Sequence, residues 1–344
     1  MIGVGVVGTG FWARMTHLPA FRSIEGFELK AVTSGRPENA QRAAADFGIP
    51  AAHADYRELV RDPDVAVVDI CAPNDLHAEI ALAAFAEGKD VICIKPLATN
   101  VRDAYRMVNE AEKRGRKLCY AENVPFIPAL VRLKELIDGG LYGELFRYKA
   151  CEGIGSLHAS WFSDPERAGG GSIIDMAVHG LSFLQWMAGG RKAVKIHAEA
   201  GTFLHRQQAE DTSVIVMRFE DGAIGQTEDG WSLAGGYDSR FEVFGTKGHA
   251  LVDLLYSHPI RSVVGSSAEG GATASLLHPI DDHFVKDGHL NMMTHFRDCL
   301  TKGTPCRSSG AEGYEMMEWV DAAYRSVRTG EPIRLNAGGS AANG

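Results

Sequence analysis

At 344 residues, with 45 % hydrophobic and 23 % charged side chains, the chain has the make-up of a soluble globular enzyme of one to three domains with a sizeable core. A net charge of −9 excludes nucleic acid as the main partner, because a phosphate polymer needs a basic face. No apolar run nears the roughly 20 residues that cross a bilayer, so no membrane role is expected, and a strand starting almost at Met1 leaves no signal peptide to expect.

The β-branched run Val4–Val7 predicts a first strand. It leads straight into Gly8-Thr9-Gly10-Phe11-Trp12-Ala13 and a helix over 11–23. In this strand–turn–helix order Gly8 suits the tight turn. Gly10 lets a pyrophosphate approach the backbone, and Ala13 lets the helix pack on the strand. The helix start then offers N–H groups and a positive dipole end to phosphate. Gly8, Thr9, Gly10, Phe11 and Trp12 are therefore candidate dinucleotide-binding residues; an ordinary Gly-rich turn is the alternative.

Further strands are expected at Leu29–Thr33, Val65–Ile70, Asp90–Ile94 and Lys117–Ala121, with helices over 36–47, 77–87 and 101–114 between them. This alternation predicts a doubly wound parallel sheet buried on both faces, a Rossmann domain over 1–123. The second strand ends in Thr33-Ser34-Gly35-Arg36, where NAD enzymes usually carry an acid for the ribose 2′-hydroxyl. With no carboxylate there, Ser34 and Arg36 suit a 2′-phosphate; NADP(H) is favoured and NAD(H) remains possible. Pro73, Asn74 and His77 follow the next expected strand and belong at the ligand crevice, though His77 serves equally well as a capping or surface residue. Lys95, before Pro96, ends another strand at the same crevice.

After residue 123 the pattern changes to one helix over 128–139 and long strands at Leu145–Glu152, Ala193–Leu204, Thr212–Phe219, Ala223–Trp231, Ser239–Gly245 and His249–Leu255. Turn signals such as Asp221-Gly222 join them as hairpins. With helices over 172–187 and 311–329, residues 124–335 form an α+β substrate and oligomerisation domain with a large, mostly antiparallel open sheet. Residues 265–275 read as a mobile surface loop and 336–344 as a flexible tail.

Ser172 is expected to cap the helix that carries Asp175 and His179. These two are four apart, on one helix face, a spacing at which a carboxylate can orient an imidazole that takes a hydroxyl proton. No companion set for a metal is obvious; Asp281-Asp282-His283 and His289 could supply a further ligand, but no metal is expected. The six cysteines form no Cys-x-x-Cys pair and read as reduced, mostly buried thiols of a cytoplasmic protein. Val214-x-Val216 and Phe241-x-Val243 suggest an apolar sheet face for a homodimer or homotetramer.

Taken together, Gly8-x-Gly10-x-x-Ala13, Ala72-Pro73-Asn74-x-x-His77, Ile94-Lys95-Pro96, and Gly169-Gly170-Gly171 followed by Asp175 and His179 resemble the Gfo/Idh/MocA family, the glucose–fructose oxidoreductase and inositol dehydrogenase group, over nearly the whole length. The resemblance implies NAD(P)-dependent oxidation of a sugar, polyol, inositol or glycoside. In it Lys95 holds the reacting oxygen, His179 is general base or acid, and Asp175 orients substrate or His179. The family's Glu-Lys-Pro carries Ile94 in place of Glu, and its Gly before the His is Ala177 with one residue between. Glu122 and Asn123 stand where the family often has other polar residues; with Trp161 and Phe162 they are candidate substrate contacts. Two other classes fit the same residues. One is a redox-assisted glycosidase or lyase with no net redox change; the other is a non-catalytic ligand sensor.

Overall fold

The computed structural model describes residues 1–205, 207–256, 259–265, 274–278 and 284–335. In chain order the first elements are β1 (Ile2–Val7), a π turn (Ala13–His17) running into α1 (Leu18–Ser23), β2 (Phe27–Thr33), α2 (Pro37–Phe47), β3 (Ala51–His53), α3 (Tyr56–Arg61), β4 (Val67–Ile70), α4 (His77–Ala86), β5 (Asp90–Ile94), α5 (Val101–Lys113) and β6 (Leu118–Ala121). They are followed by α6 (Pro128–Asp138), β7 (Leu145–Ile154), α7 (Pro165–Ala168) and a second π turn (Ile173–Ala177) running into α8 (Val178–Ala188). The strands β8 (Ala193–Gly201), β9 (Thr212–Phe219), β10 (Ile224–Gly230), β11 (Tyr237–Gly245), β12 (Gly248–Asp253), β13 (Ile260–Val264) and β14 (Ala274–His278) come next. The chain ends in α9 (Phe284–Lys302), α10 (Gly310–Thr329) and β15 (Ile333–Arg334).

Two compact units result, and neither is one continuous stretch. The first comprises Met1–Ile127, His158–Gly170 and His283–Met317; the second comprises Pro128–Leu157, Gly171–Asp282 and Glu318–Gly344. The sequence places a single cut at 123/124. Contacts instead bring two later segments into the first unit, because α9 supplies part of its core.

That first unit is built on a six-stranded parallel sheet, order β3-β2-β1-β4-β5-β6, whose strand order reverses between β1 and β4. Such a reversal opens the ligand crevice at the C-terminal strand ends. Val4, Val6, Val32, Val67 and Ile92 are buried as the apolar strand runs require, and Met292, Met293 and Phe296 of α9 close the same core. The expected strands and helices are all present. Four short or mixed elements, β3, α3, α7 and α9, escape the sequence pattern; α3 does carry a readable cap, Asp55 accepting from the Arg57 N–H at 2.8 Å.

In the second unit a nine-stranded sheet runs β14-β13-β12-β11-β7-β10-β9-β8-β15. Every pair is antiparallel except β7 with β10. Helix α8 packs against β7 and β10. Side chains alternate along β9, with Val214 and Val216 outward and Ile215 and Met217 inward. Phe241 and Val243 correct the expectation of an apolar outer face on β11. Both are fully buried, with Phe241 against Phe183 of α8 (ring centroids 4.8 Å apart), because their register points them under the helix. Of the surface loop expected at 265–275, Ala274 and Ser275 belong to β14, which pairs with β13; 266–273 lie outside the described residues. So do 281–283, which held three of the metal donors considered, and the expected tail at 336–344. Among the described residues no helix is long and apolar enough to cross a membrane.

Candidate active site

Beginning with the first unit, the turn after β1 has the chemistry its sequence suggests. Gly8 has φ +105°, and a Cβ there would lie 2.3 Å from the Cys71 carbonyl oxygen, so only glycine fits. At Gly10 a Cβ would meet nothing within 4 Å, which leaves room for an anion against the backbone. Ala13 is buried, as close packing on the strand demands. These residues fit a dinucleotide pyrophosphate. Thr9 Oγ1 donates to Ser34 Oγ at 3.0 Å, tying the turn to the end of β2, where Arg36 is exposed.

Helix α1 is entered through a π turn, a feature often found at functional sites. Here it carries His17 into full burial. His17 Nδ1 lies 3.0 Å from both carboxylate oxygens of Asp69 on β4 and 3.2 Å from Cys71 Sγ. Burial and the neighbouring Asp69 carboxylate push the Cys71 thiol well above its ordinary pKa. Trp12 stacks on His289 (5.9 Å, 12° between planes) and meets His158 edge-on at 5.2 Å. Phe11 is exposed.

The ends of β4, β5 and β6 carry the other candidates of this unit. Asn74 is buried and donates from Nδ2 to the Ala168 carbonyl at 2.8 Å, anchoring the segment 158–170. That segment holds Trp161, stacked on buried Phe162 at 3.9 Å. His77 is fully buried, so the surface role is excluded. Its Nδ1 lies 2.9 Å from the Pro96 carbonyl and its Nε2 2.9 Å from the Ala72 carbonyl. Burial holds its pKa below the usual histidine value against the pull of those carbonyls. His77 thus pins the Pro73 loop to the Lys95–Pro96 bend, whose peptide bond is cis. Lys95 is half-buried there. Strands β5 and β6 pair up to Ile94 and Ala121, so Lys95 and Glu122 leave adjacent strands at one level. Glu122 is buried and accepts from the Val124 N–H at 2.9 Å, and Asn123 beside it is half-buried.

The second unit holds Asp175 in its π turn and His179 in α8. Asp175 is buried, and its Oδ2 accepts from the Trp231 indole N–H at 2.8 Å. His179 is partly exposed. Gly180, the next residue, lies so close to β10 that a Cβ would fall 1.9 Å from Thr227 Oγ1 and 3.1 Å from Asp229 Oδ1. Asp229 is buried, accepts from Thr227 Oγ1 at 2.6 Å, and is pushed by burial up to about 8. Ser172 does not cap this helix: its backbone is already helical and its hydroxyl makes no cap bond. Glu210 takes that place. Its Oε1 accepts from the N–H groups of Gly171 (3.1 Å) and Ile173 (3.0 Å) and from the Tyr324 hydroxyl (2.8 Å).

Residues 2–122 match the family described as "Oxidoreductase family, NAD-binding Rossmann fold", and residues 130–251 match the GFO/IDH/MocA C-terminal domain. The chain belongs to the Gfo/Idh/MocA family. It is an oxidoreductase with an NAD-binding domain. Among curated relatives of the family, myo-inositol 2-dehydrogenase of Thermotoga maritima is 26 % identical over 341 residues, 97 % of each chain. Trans-1,2-dihydrobenzene-1,2-diol dehydrogenase of Mus musculus is 29 % identical over 88 % of each. Among solved structures, GenD2 from gentamicin A biosynthesis, in complex with NAD, superposes with TM-score 0.87 at 26 % identity, covering 98 % of this chain and 97 % of that one.

Sequence reasoning missed His17 and Asp69 beside the candidates of the first unit, and Glu210, Trp231 and Asp229 beside those of the second. One of them leaves a readable trace: Asp69 is a charge inside the otherwise apolar strand Val67–Ile70, which asks for a buried partner. Glu210 acts across 37 to 39 residues of chain and has no local signature.

Proposed function

We infer that the chain transfers a hydride between a nicotinamide cofactor and a secondary hydroxyl, or the corresponding ketone, of a sugar, polyol, inositol or glycoside. The observation that carries this reading is Lys95: a half-buried ammonium at the C-terminal end of β5, on a bend that buried His77 ties to the Ala72–Pro73 loop. The names of the relatives, dehydrogenases of inositol and of a dihydrodiol, point to the same substrate class.

Bound nicotinamide supplies the hydride acceptor in oxidation and the donor in reduction. Lys95 donates to the reacting oxygen and stabilises the charge that develops on it. His179 removes the hydroxyl proton in oxidation and returns it in reduction. Asp175, held by Trp231, positions the π turn from which the His179 helix starts. Glu122 supplies a carboxylate at the level of Lys95, where Ile94 leaves the family's glutamate position empty of charge. Asn123, Trp161 and Phe162 bound the substrate. Ser34 and Arg36 favour NADP(H) over NAD(H), since neither repels a 2′-phosphate.

Turnover of NADP⁺ and NAD⁺ over a panel of sugars and polyols tests this. Lys95→Met and His179→Ala should each lower kcat about 10²–10⁴-fold while cofactor binding persists. Unchanged turnover in either variant removes that residue from the mechanism. The outward Val214 and Val216 of β9 support assembly into a homodimer or homotetramer, and a monomer in dilute sizing runs rejects it.

A further inference from the structure

Away from the catalytic candidates, the first unit gathers three of the six cysteines and one histidine at a single place. Cys119 lies on β6, an outer strand of the parallel sheet, and is buried. His295 and Cys299 are four apart on α9 and so share a helix face. Cys306 follows in the segment between α9 and α10. Its Sγ lies 4.0 Å from Cys119 Sγ, and Cys299 Sγ lies 3.3 Å from His295 Nε2. The ligand atoms of His295, Cys299 and Cys306 all fall within 4.8 Å of one another. All three cysteines are free thiols.

We propose that His295, Cys299 and Cys306 form a binding site for one thiophilic divalent cation of the zinc class, with Cys119, which touches Cys306, shifting toward the other two to complete tetrahedral Cys₃His coordination. With metal–sulfur bonds of about 2.3 Å and metal–nitrogen bonds of about 2.0 Å, a tetrahedron has sulfur–sulfur edges of about 3.8 Å and sulfur–nitrogen edges of about 3.5 Å. The observed 4.0 and 3.3 Å edges each sit within a few tenths of an ångström of those values. Thiolate-rich donors select zinc or a similar soft ion over magnesium or calcium. Four protein ligands leave no open position, so the site is structural rather than catalytic.

The surroundings already hold the ligands in place. Cys119 and Ser309 form an antiparallel bridge, Tyr120 N–H donates to the Ser308 carbonyl at 2.9 Å, and Ser308 Oγ donates back to the Tyr120 carbonyl at 2.6 Å. The segment bearing Cys306 is thereby laid along β6. Two present contacts give way when metal binds. Cys306 S–H, now 3.2 Å from the Ser308 carbonyl, is lost as the thiol deprotonates, and that carbonyl keeps Tyr120. The Arg307 N–H, now 3.0 Å from His295 Nε2, passes to water, since Arg307 is exposed. The cation would clip the end of α9 and the segment after it to the sheet edge.

The full chain, purified under reducing conditions without chelator, should carry one zinc per chain by elemental analysis. After removal of zinc with a strong chelator, Co²⁺ should restore the intense visible bands of tetrahedral cobalt and a near-ultraviolet thiolate-to-cobalt charge-transfer band. The Tm should fall on chelation and recover on reloading. Cys299→Ser and Cys306→Ser should weaken the charge-transfer band, and Cys151→Ser should leave it intact. If the variants fail to fold, the chelation and cobalt experiments on the natural chain still decide. Reduced protein that binds no Co²⁺, a weak octahedral cobalt spectrum, or a Tm indifferent to chelator each overturns the proposal. So does loss of two thiols as a disulfide with no metal retained.

Discussion

The π turn at Ala13–His17 and the π turn at Ile173–Ala177 both lead into a helix that bears on function, yet their starts are arranged in opposite ways. Before the first, Gly8 and Gly10 strip side chains from the turn, and the Cβ direction at Gly10 is open. Before the second, the backbone N–H groups of Gly171 and Ile173 are already taken by the Glu210 carboxylate, which Tyr324 holds in turn. A helix start whose donors are satisfied by an internal anion has nothing left for an external one. The first π-turn helix is therefore suited to receive phosphate, and the second to hold side chains still. Each also hides a polar group: His17 against Asp69, and Asp175 against Trp231.

Two close-packed glycines, Gly8 and Gly180, give the largest test of this contrast. Gly8→Ala should destabilise the protein by about 1–3 kcal/mol through overpacking and should abolish dinucleotide binding in a fluorescence titration. Gly180→Ala should cost a similar amount against Thr227, and it should depress kcat while the cofactor Kd stays near wild type. Equal loss of cofactor affinity in both would end the division of roles.

Asp229, beneath Gly180, sharpens the second half. Its carboxyl is raised from 3.8 to about 8 by burial, so the native state holds its proton more tightly than the unfolded chain. The stability this contributes is complete below pH ~4 and is lost as the pH climbs through about 8. The urea midpoint should fall between pH 5 and pH 9 in the wild type. Asp229→Asn, neutral throughout, should show a flatter profile and the higher midpoint at the alkaline end.

Trp231→Phe leaves the Asp175 carboxylate without its indole donor. We expect a loss of about 1–3 kcal/mol in stability and a lower kcat, with the cofactor KM unaffected. The smallest effect belongs to the first unit: Arg36→Ala should weaken NADPH binding by about fivefold, equivalent to ~1 kcal/mol at an exposed charge, and leave NADH binding near wild type. An NADPH affinity that does not move removes Arg36 from the proposed 2′-phosphate contact.

Most strands of both sheets are legible because continuous apolar runs and strict alternation are direct consequences of burial on two faces or one; the short strands β3, β13, β14 and β15 carry too little of either pattern. The Gly8 turn was legible because a positive φ and a close carbonyl demand glycine. The candidate residues proposed from the sequence, such as Lys95, lie next to such punctuation. What stayed hidden depends on distance along the chain. Glu210 caps a helix 37 residues upstream at its nearest amide, and Cys119 meets Cys306 across 187 positions. Helix α9 stays hidden for another reason: the residues it gives to the apolar core, Met292, Met293 and Phe296, are too few among polar neighbours to mark it.

Those three residues have a practical consequence. A fragment cut after Ile127 would lose the apolar lid that α9 lays over Phe21, Phe27 and Phe126, and would expose a greasy scar in its place. Anyone grafting this nucleotide-binding module onto another scaffold must therefore transplant a piece of the carboxyl-terminal third along with it.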